Sequence, residues 1–181
     1  MSSRIGSQLP THKSPSTGDP MAVDEQSMKR IAALCVSGVT VVTTRHAEGL
    51  HGLTVSAFLA VSWDPPLTLI ALESVNQSCD FVKESRIFAV SFLSDRQEFL
   101  AERFAGRAPL VNRRFDGVPH RFAVTGAPIL EGALGWLDCR VEQIVEVGDH
   151  TLFIGRVVAL GEGAPGNALA YYAHRYRTVE P

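Results

Sequence analysis

The sequence predicts a mainly β fold, an antiparallel barrel with a few short helices. About seven runs of β-branched and apolar residues have the length of a strand. Turn residues join most of these runs directly, whereas a parallel sheet would need regular alternation of strands and helices. The chain has 181 residues, 45% of them hydrophobic, which suffices for one domain with its own core.

The first twenty residues differ from the rest in composition. Residues 1–20 are polar and rich in Ser and Pro, so we expect a flexible arm there and a single domain over 21–181. Asp19-Pro20 is a helix-start signal, and apolar residues at helical spacing predict an amphipathic helix over about 22–36. Because the arm lacks the apolar region of a secretory signal, we expect a cytoplasmic protein.

Three strands are predicted next. The β-branched run from Val39 to Thr44 predicts the first strand, and the alternating segment from Gly52 to Ser62 predicts a second, continuous one. Asp64-Pro65-Pro66 ends that strand. The apolar run from Leu67 to Leu72 suits a buried strand.

The middle of the chain alternates helix and strand. We predict a short helix over about 77–85 and a strand from Ile87 to Leu93. A second helix begins near Asp95, capped by that residue or by Ser94. Its predicted apolar face consists of Phe99, Leu100 and Phe104.

The last third reads as a loop and three strands. Residues 106–120 are basic and contain Gly and Pro, which predicts a loop. Strands are predicted from Arg121 to Thr125, Gly135 to Val147 and His150 to Leu160. Gly148-Asp149 separates the last two and predicts a hairpin turn.

Charge and motif content argue against several classes of function. The chain has 17 Lys and Arg against 19 Asp and Glu, without a basic block, so we expect neither nucleic-acid nor membrane binding. The three cysteines are widely spaced and the six histidines form no H-x-x-H unit, so we predict packing thiols and no metal site. Gly161–Gly166 matches G-x-G-x-x-G, but Pro165 and the short remaining chain favour a turn over a dinucleotide fold.

An ordered set of motifs spans about Gly38 to Val179. Its pieces are the Val/Thr-rich segment Gly38–Thr44, Gly52–Phe58, Ser62–Leu67, Phe88–Leu93, Gly148–Val157 and Leu169 to Tyr176. Together they resemble the short-chain flavin reductases, which have the FMN-binding split-barrel fold. Thr54 and Ser56 share one face of their predicted strand, which by itself fits a lining strand of any barrel.

The resemblance implies an activity. It implies an NADH-dependent reductase that transfers hydride from the nicotinamide to N5 of FAD or FMN and supplies reduced flavin to a separate flavin-dependent monooxygenase. It also implies a homodimer whose site is formed partly by the second subunit. Because this hydride transfer is direct, we assign no acid or base residue. The alternatives are a reductase of ferric iron or a corrinoid through bound flavin, and a flavin- or haem-binding module without turnover.

The resemblance also implies site residues. Thr54, Val55 and Ser56 are similar to the strand that faces the isoalloxazine ring. Residues of the following loop are similar to the segment that holds the ribityl chain and phosphate, namely Ser74, Asn76, Gln77, Ser78 and Cys79. His150, Arg175 and Tyr176 correspond to the nicotinamide side.

The sequence departs from the family pattern at two places. Loop 74–79 lacks the usual basic residue, so phosphate charge would be met by helix amides, by Lys83 or Arg86, or by an arginine of loop 103–114. For that reason we expect FAD rather than FMN, and NADH rather than NADPH because no compact arginine pair is present. His174 stands where relatives have Gly, so the adjacent backbone is expected to differ.

Overall fold

The computed structural model describes Pro20, residues 22–106 and residues 115–181. The helices of this part are α1 (Glu25–Ala32), α2 (Gln77–Ser85) and α3 (Glu98–Phe104), the last preceded by a 3₁₀ turn (Asp95–Gln97). The strands are β1 (Ser37–Gly38), β2 (Thr40–His46), β3 (Gly49–Val55), β4 (Phe58–Trp63), β5 (Pro66–Glu73), β6 (Ile87–Phe92), β7 (His120–Phe122), β8 (Pro128–Leu130), β9 (Gly135–Val147), β10 (His150–Glu162), β11 (Ala168–Tyr172) and β12 (Arg175–Val179). The mainly β prediction is confirmed.

Seven of these strands form one antiparallel sheet in the order β3-β2-β6-β9-β10-β5-β4. Its two edge strands, β3 and β4, are joined by only Ser56 and Ala57, so the sheet must curl until its edges approach each other. β3 and β4 do not pair, and β3 instead contacts β5 across the opening. The result is an open, split-barrel-like fold.

The predicted continuous strand from Gly52 to Ser62 is wrong. The chain changes partner within it, because β3 pairs with β2 whereas β4 pairs with β5. The break falls on Ser56 and Ala57, two small exposed residues. Residue alternation continues through the break, and therefore the periodicity alone does not reveal it.

The β9–β10 hairpin confirms the predicted turn. Both strands have 13 residues, and Val147 lies opposite His150 across the loop Gly148-Asp149. Gly148 has φ 59°, whereas Asp149 has no positive φ, as in a type II′ turn. The hairpin therefore places His150 at the start of a strand in the middle of the sheet.

A smaller sheet in the order β1-β11-β12 packs beside the opening. Its strands and β8 were not among the predicted strands from residue patterns, since each has five residues or fewer. Ala173 and His174 connect β11 to β12 with φ values of 48° and 62°. His174 thus occupies a conformation that glycine adopts without strain, as the departure from the family pattern suggests.

The helices agree with the prediction in place but not in every boundary. α2 begins and ends as predicted, and α1 is shorter than 22–36, since Asp24 caps it. Ser94 and Gln97 form a capping box before α3. Phe104 is buried and Leu100 packs against the same cluster, as predicted. Phe99 is exposed, so its place on the apolar face is wrong, and Ala101 is buried in its stead.

The two larger of three buried apolar clusters in the described residues flank the opening. One packs beneath the central sheet and contains Ile70, Cys79, Phe88 and Phe153. The other packs α3 against β2 and includes Val41 and Phe104. These clusters fix both sides of the opening between β3 and β4.

Several sequence features lie at the limits of the described residues. The predicted arm lies outside them except for Pro20, and so do Arg107, Arg113 and Arg114 of the predicted basic loop. After Gly163 the G-x-G-x-x-G segment leads into strand β11 rather than a helix, which confirms that it is not a dinucleotide fingerprint. Among the three described helices, the longest has nine residues, too few to cross a bilayer.

Candidate active site

An open cavity of ≈330 Å³ lies where β3 ends and β4 begins. Its lining comes from five segments: Leu53, Thr54, Val55, Ser56 and Ala57; Ala71, Leu72 and Glu73; Asn76; Ala105; and His150. Three groups of predicted site residues, far apart in the chain, therefore meet in one place. The volume falls in the range of about 300–1,000 Å³ that is usual for small-molecule sites.

The break between β3 and β4 presents backbone groups to this cavity. The Ser56 carbonyl accepts from the Phe58 amide, and the Ala57 carbonyl accepts from the Ala71 amide, both at 3.0 Å. The Ser56 and Ala57 amides, by contrast, donate to no group within the described residues. Two amide donors at an exposed edge suit a ligand ring that carries carbonyl and nitrogen acceptors.

The side chains of β3 divide between the cavity and the core. Val55 is buried in the central cluster, so only its backbone can meet a ligand. Thr54 lines the cavity, and its Oγ1 donates to the Ala101 carbonyl of α3 at 2.6 Å. Ser56 is exposed and lines the same cavity, as the shared strand face predicts.

The loop before α2 contributes one lining residue, Asn76. It caps the helix, because its Oδ1 accepts from the Ser78 amide at 3.1 Å and its carbonyl accepts from the Cys79 amide at 2.8 Å. Ser78 is nearly buried and Cys79 is fully buried in the core. The Cys79 side chain is thus not brought to the cavity, since the third residue of α2 faces the sheet; Gln77 is exposed beside the cap.

Ser74 is held against the β9–β10 hairpin. Its amide donates to the Asp149 carbonyl at 2.9 Å, and its Oγ lies 3.0 Å from Thr151 Oγ1. Ser74 does not line the cavity directly. It connects the loop that carries Asn76 to the hairpin that carries His150.

His150 lines the cavity opposite Glu73 of β5. Its Nδ1 lies 2.7 Å from Asp149 Oδ1, and this hydrogen bond holds the pKa of the Asp149 carboxyl below its ordinary value. The imidazole is half-exposed. With Nδ1 engaged, Nε2 is the nitrogen left to interact with a ligand.

A second cavity of ≈120 Å³ adjoins the first through Thr54, Ser56 and Ala105. Tyr171 and Tyr176 line it, with ring centroids 5.2 Å apart in an edge-to-face arrangement. The structure therefore brings Tyr176 to the site. Arg175 lies opposite Tyr172 in the same hairpin and lines neither cavity.

Residue patterns alone missed part of this lining. Glu73, Ala105 and Tyr171 were not among the predicted site residues, although Tyr171 falls within the C-terminal motif. Glu73 at the end of a buried strand gives no local signal of function. Ala105 follows α3 and is placed only by the packing of that helix on β3.

The charge of the two cavities is distinctive. Glu73 is the one charged side chain among the described lining residues, apart from the titratable His150. Two of the cations considered for a phosphate are engaged elsewhere: Lys83 pairs with Glu146 at 3.1 Å and Arg86 donates to the Val141 carbonyl, whereas Arg107, Arg113 and Arg114 lie outside the described residues. Amides, hydroxyls, an imidazole and tyrosine rings thus suit a planar polar ring better than a bare phosphate.

The comparisons with known proteins agree with this chemistry. A family model described as "Flavin reductase like domain" matches residues 32–180. The chain is 35% identical over 166 residues to FMN reductase (NADH) RutF 2 of Rhizobium rhizogenes, covering 92% of this chain and 93% of that protein. It is 30% identical over 161 residues to the flavin-dependent monooxygenase reductase subunit HsaB of Mycobacterium tuberculosis, covering 88% and 84%.

A solved structure extends the similarity to three dimensions. The NADH:FAD oxidoreductase SgcE6 of Streptomyces globisporus, in complex with NAD and FAD fragments, superposes with a TM-score of 0.80 at 30% identity. The match covers 90% of this chain and 98% of that one. With a family model over most of the chain, relatives matched along nearly their whole length and a shared split fold, this chain belongs to the flavin reductase-like domain family.

Proposed function

We propose that this chain is an NADH-dependent flavin reductase that supplies reduced flavin to a separate flavin-dependent monooxygenase. The observation that carries the proposal is the single cavity that joins the Ser56 and Ala57 amides, Asn76 and His150. When bound, the flavin supplies the N5 hydride acceptor and the nicotinamide supplies the donor. The task of the protein is then to hold two planar rings in register.

The flavin side of the site is assigned to the β3–β4 break and the loop after β5. The Ser56 hydroxyl and the Ser56 and Ala57 amides donate to the polar edge of the isoalloxazine, where negative charge develops on reduction. Thr54 fixes the position of β3 relative to α3 through its hydrogen bond to the Ala101 carbonyl. Ser74, Asn76, Gln77 and Ser78 hold the ribityl chain, whereas the buried Cys79 supports α2 from inside.

The nicotinamide side is assigned to His150 and Tyr176. His150 is oriented by Asp149 and supplies its Nε2 to the carboxamide. Tyr176 and Tyr171 offer ring edges and faces to a second planar group beside Ser56. Arg175, exposed and outside both cavities, serves the phosphates of the dinucleotide.

NADH consumption tests the activity. Purified protein is mixed with NADH, with and without free FAD or FMN, and absorbance of NADH is followed. Oxidation that depends on free flavin is expected. Oxidation that needs only ferric iron or a corrinoid would favour the first alternative, and no oxidation under any condition would leave a binding module.

We propose FAD as the preferred flavin. The described cavity lining contains no Lys or Arg to pair with the compact terminal phosphate of FMN, whereas FAD spreads its charge over a diphosphate. Fluorescence titration with both flavins measures the preference directly. A lower Kd for FMN than for FAD would contradict this assignment.

We further propose a homodimer. Leu59, Val61 and Trp63 of edge strand β4 are 59%, 48% and 86% exposed, and α1 exposes Met28 and Ile31. Large apolar side chains on an edge strand are typical of a covered surface. Sedimentation equilibrium should give twice the chain mass, and Trp63→Asp should shift the equilibrium towards monomer; a wild-type monomer would refute the proposal.

A further inference from the structure

A buried hydroxyl lies directly behind the cavity. Thr151, the second residue of β10, is fully buried, and its Oγ1 lies 3.0 Å from Ser74 Oγ. The amide of Ser74 also donates to the Asp149 carbonyl at 2.9 Å. The residues on either side of His150 therefore both hold Ser74.

These contacts join the two sides of the site. Ser74 begins the segment that leads to Asn76 and α2, whereas His150 belongs to the hairpin. Neighbouring residues of a strand point to opposite faces, so His150 lines the cavity and Thr151 points to the interior. Thr151 thus contacts the flavin-side loop without contacting the cavity.

Packing alone does not account for the hydroxyl at this position. Thr151 lies opposite Leu72 of the core, where valine would have the same shape and lose no polar group to burial. A buried hydroxyl is tolerated only when it is hydrogen-bonded, and its bond here goes to Ser74. The contact therefore specifies where the loop sits on the hairpin.

We propose that Thr151 is a positioning residue, which acts through Ser74 to hold the flavin-side loop at a fixed distance from His150. The inference rests on the proposed function, since it needs a flavin beside the loop and a nicotinamide beside His150. The rate of hydride transfer falls steeply as the distance between donor and acceptor increases. A looser loop should therefore slow the reaction as well as weaken flavin binding.

The experiment is a double-mutant cycle of Thr151→Val, Ser74→Ala and the double variant. Flavin Kd is measured by fluorescence quenching, the rate of flavin reduction by stopped flow at saturating NADH, and stability by urea unfolding. Thr68→Val is the matched control. Thr68 is equally buried on β5, and its hydroxyl donates to the Leu59 carbonyl at 2.9 Å, away from both cavities.

Thr151→Val should raise the flavin Kd about fivefold and slow flavin reduction, the effect of losing roughly one hydrogen bond. In the Ser74→Ala background, Thr151→Val should raise the flavin Kd by less than about twofold, because the hydroxyl that Thr151 bonds is already absent. Thr68→Val should lose similar stability with unchanged Kd. Thr151→Ser, which keeps the hydroxyl, should restore the Kd and the rate.

When Thr151→Val folds, three results would overturn the proposal. They are an unaltered flavin Kd in Thr151→Val, a Kd effect that persists in full without Ser74, and an equal Kd effect in Thr68→Val. Where Thr151→Val does not fold, Ser74→Ala and Thr151→Ser carry the comparison, and an unaltered Kd in Ser74→Ala overturns it. Failure of the proposed function is distinct, because wild-type protein would then show no NADH oxidation that depends on free flavin, whatever the Thr151 and Ser74 variants do.

Discussion

Gly155 of β10 belongs to the motif Gly148–Val157, and the structure indicates that packing requires it. A Cβ built on Gly155 would lie 2.4 Å from Phe88 Cζ, 2.6 Å from Phe88 Cε1 and 3.1 Å from Cys139 Cβ. Phe88 and Cys139 are fully buried in the central cluster. Gly155→Ala is therefore expected to destabilise the fold without touching the cavity, whose lining does not include this residue.

The size of the effect follows from the overlap. Non-bonded carbons meet at about 3.5–4.0 Å, so the new methyl overlaps Phe88 by roughly 1 Å. The ring has no solvent to move into, and forcing an extra methyl into a packed core costs about 1–3 kcal/mol. For a chain of this length, about 2 kcal/mol corresponds to a fall in Tm of roughly 4–8 °C.

Urea unfolding measures this loss against Gly38→Ala. A Cβ at Gly38 would meet nothing within 4 Å and its φ is not positive, so that variant should be neutral or slightly more stable. Replacing the ring by the smaller side chain in Phe88→Leu should recover part of the lost stability in the double variant with Gly155→Ala, because the overlapping ring atoms are gone.

Two outcomes would refute the packing argument for Gly155. Equal stability of Gly155→Ala and Gly38→Ala would mean that the core accommodates the methyl. Normal stability with weakened flavin or NADH binding would mean that the glycine serves a ligand.

Four further predictions concern the site and its supports. Ser56→Val should weaken flavin binding roughly fivefold, since valine cannot donate to the ring edge, and an unaltered Kd by fluorescence titration would remove Ser56 from the site. His150→Ala should slow reduction by NADH while the flavin Kd stays near wild type; unchanged stopped-flow kinetics would remove its nicotinamide role. His174→Gly should raise the free energy of unfolding by about 1 kcal/mol, because it relieves a φ of 62°, whereas His174→Ala should not. Burial, with a smaller contribution from Asp138, raises the pKa of the Cys139 thiol from its ordinary value of 9.0 to about 12. Folding thus favours the protonated thiol, whose contribution to the free energy of unfolding is complete below pH 9 and is lost as the pH rises towards 12. Cys139→Ala should remove this fall in stability at alkaline pH, as measured by urea titrations. A thiol reagent at neutral pH should modify only the exposed Cys35.

Most of the elements that the sequence predicts correctly are long segments with a clear periodicity. The limits of β9 and of α2 agree with prediction, because both are bounded by strong signals: Gly148-Asp149 after the strand and Asn76 before the helix. The short strands β8, β11 and β12 have too few residues for a period to emerge. Residue patterns do not predict strand partners either, and so alternation predicts a continuous strand across the break at Ser56.

The candidate site was predictable only in part. Alternation places Thr54 and Ser56 on one face, but residue patterns do not bring them to Asn76 or His150, which the resemblance supplied and the sheet order accounts for. The family resemblance assigns Cys79 to the site by its place in the loop motif, whereas the phase of α2 points its side chain into the core. Tertiary packing decides such directions, and local sequence does not contain it.

The opening in the barrel is itself what makes the site. In a closed barrel, β3 and β4 would pair and the strand-edge amides would bond within the sheet. Here the edge strands part at Ser56 and Ala57, so two donors stay available to a ligand within the described fold. An open edge is an aggregation hazard that proteins normally cover. The exposed apolar side chains of β4 are likewise typical of a surface that another element covers. The features that leave the donors free are therefore also the ones that support the proposed dimer.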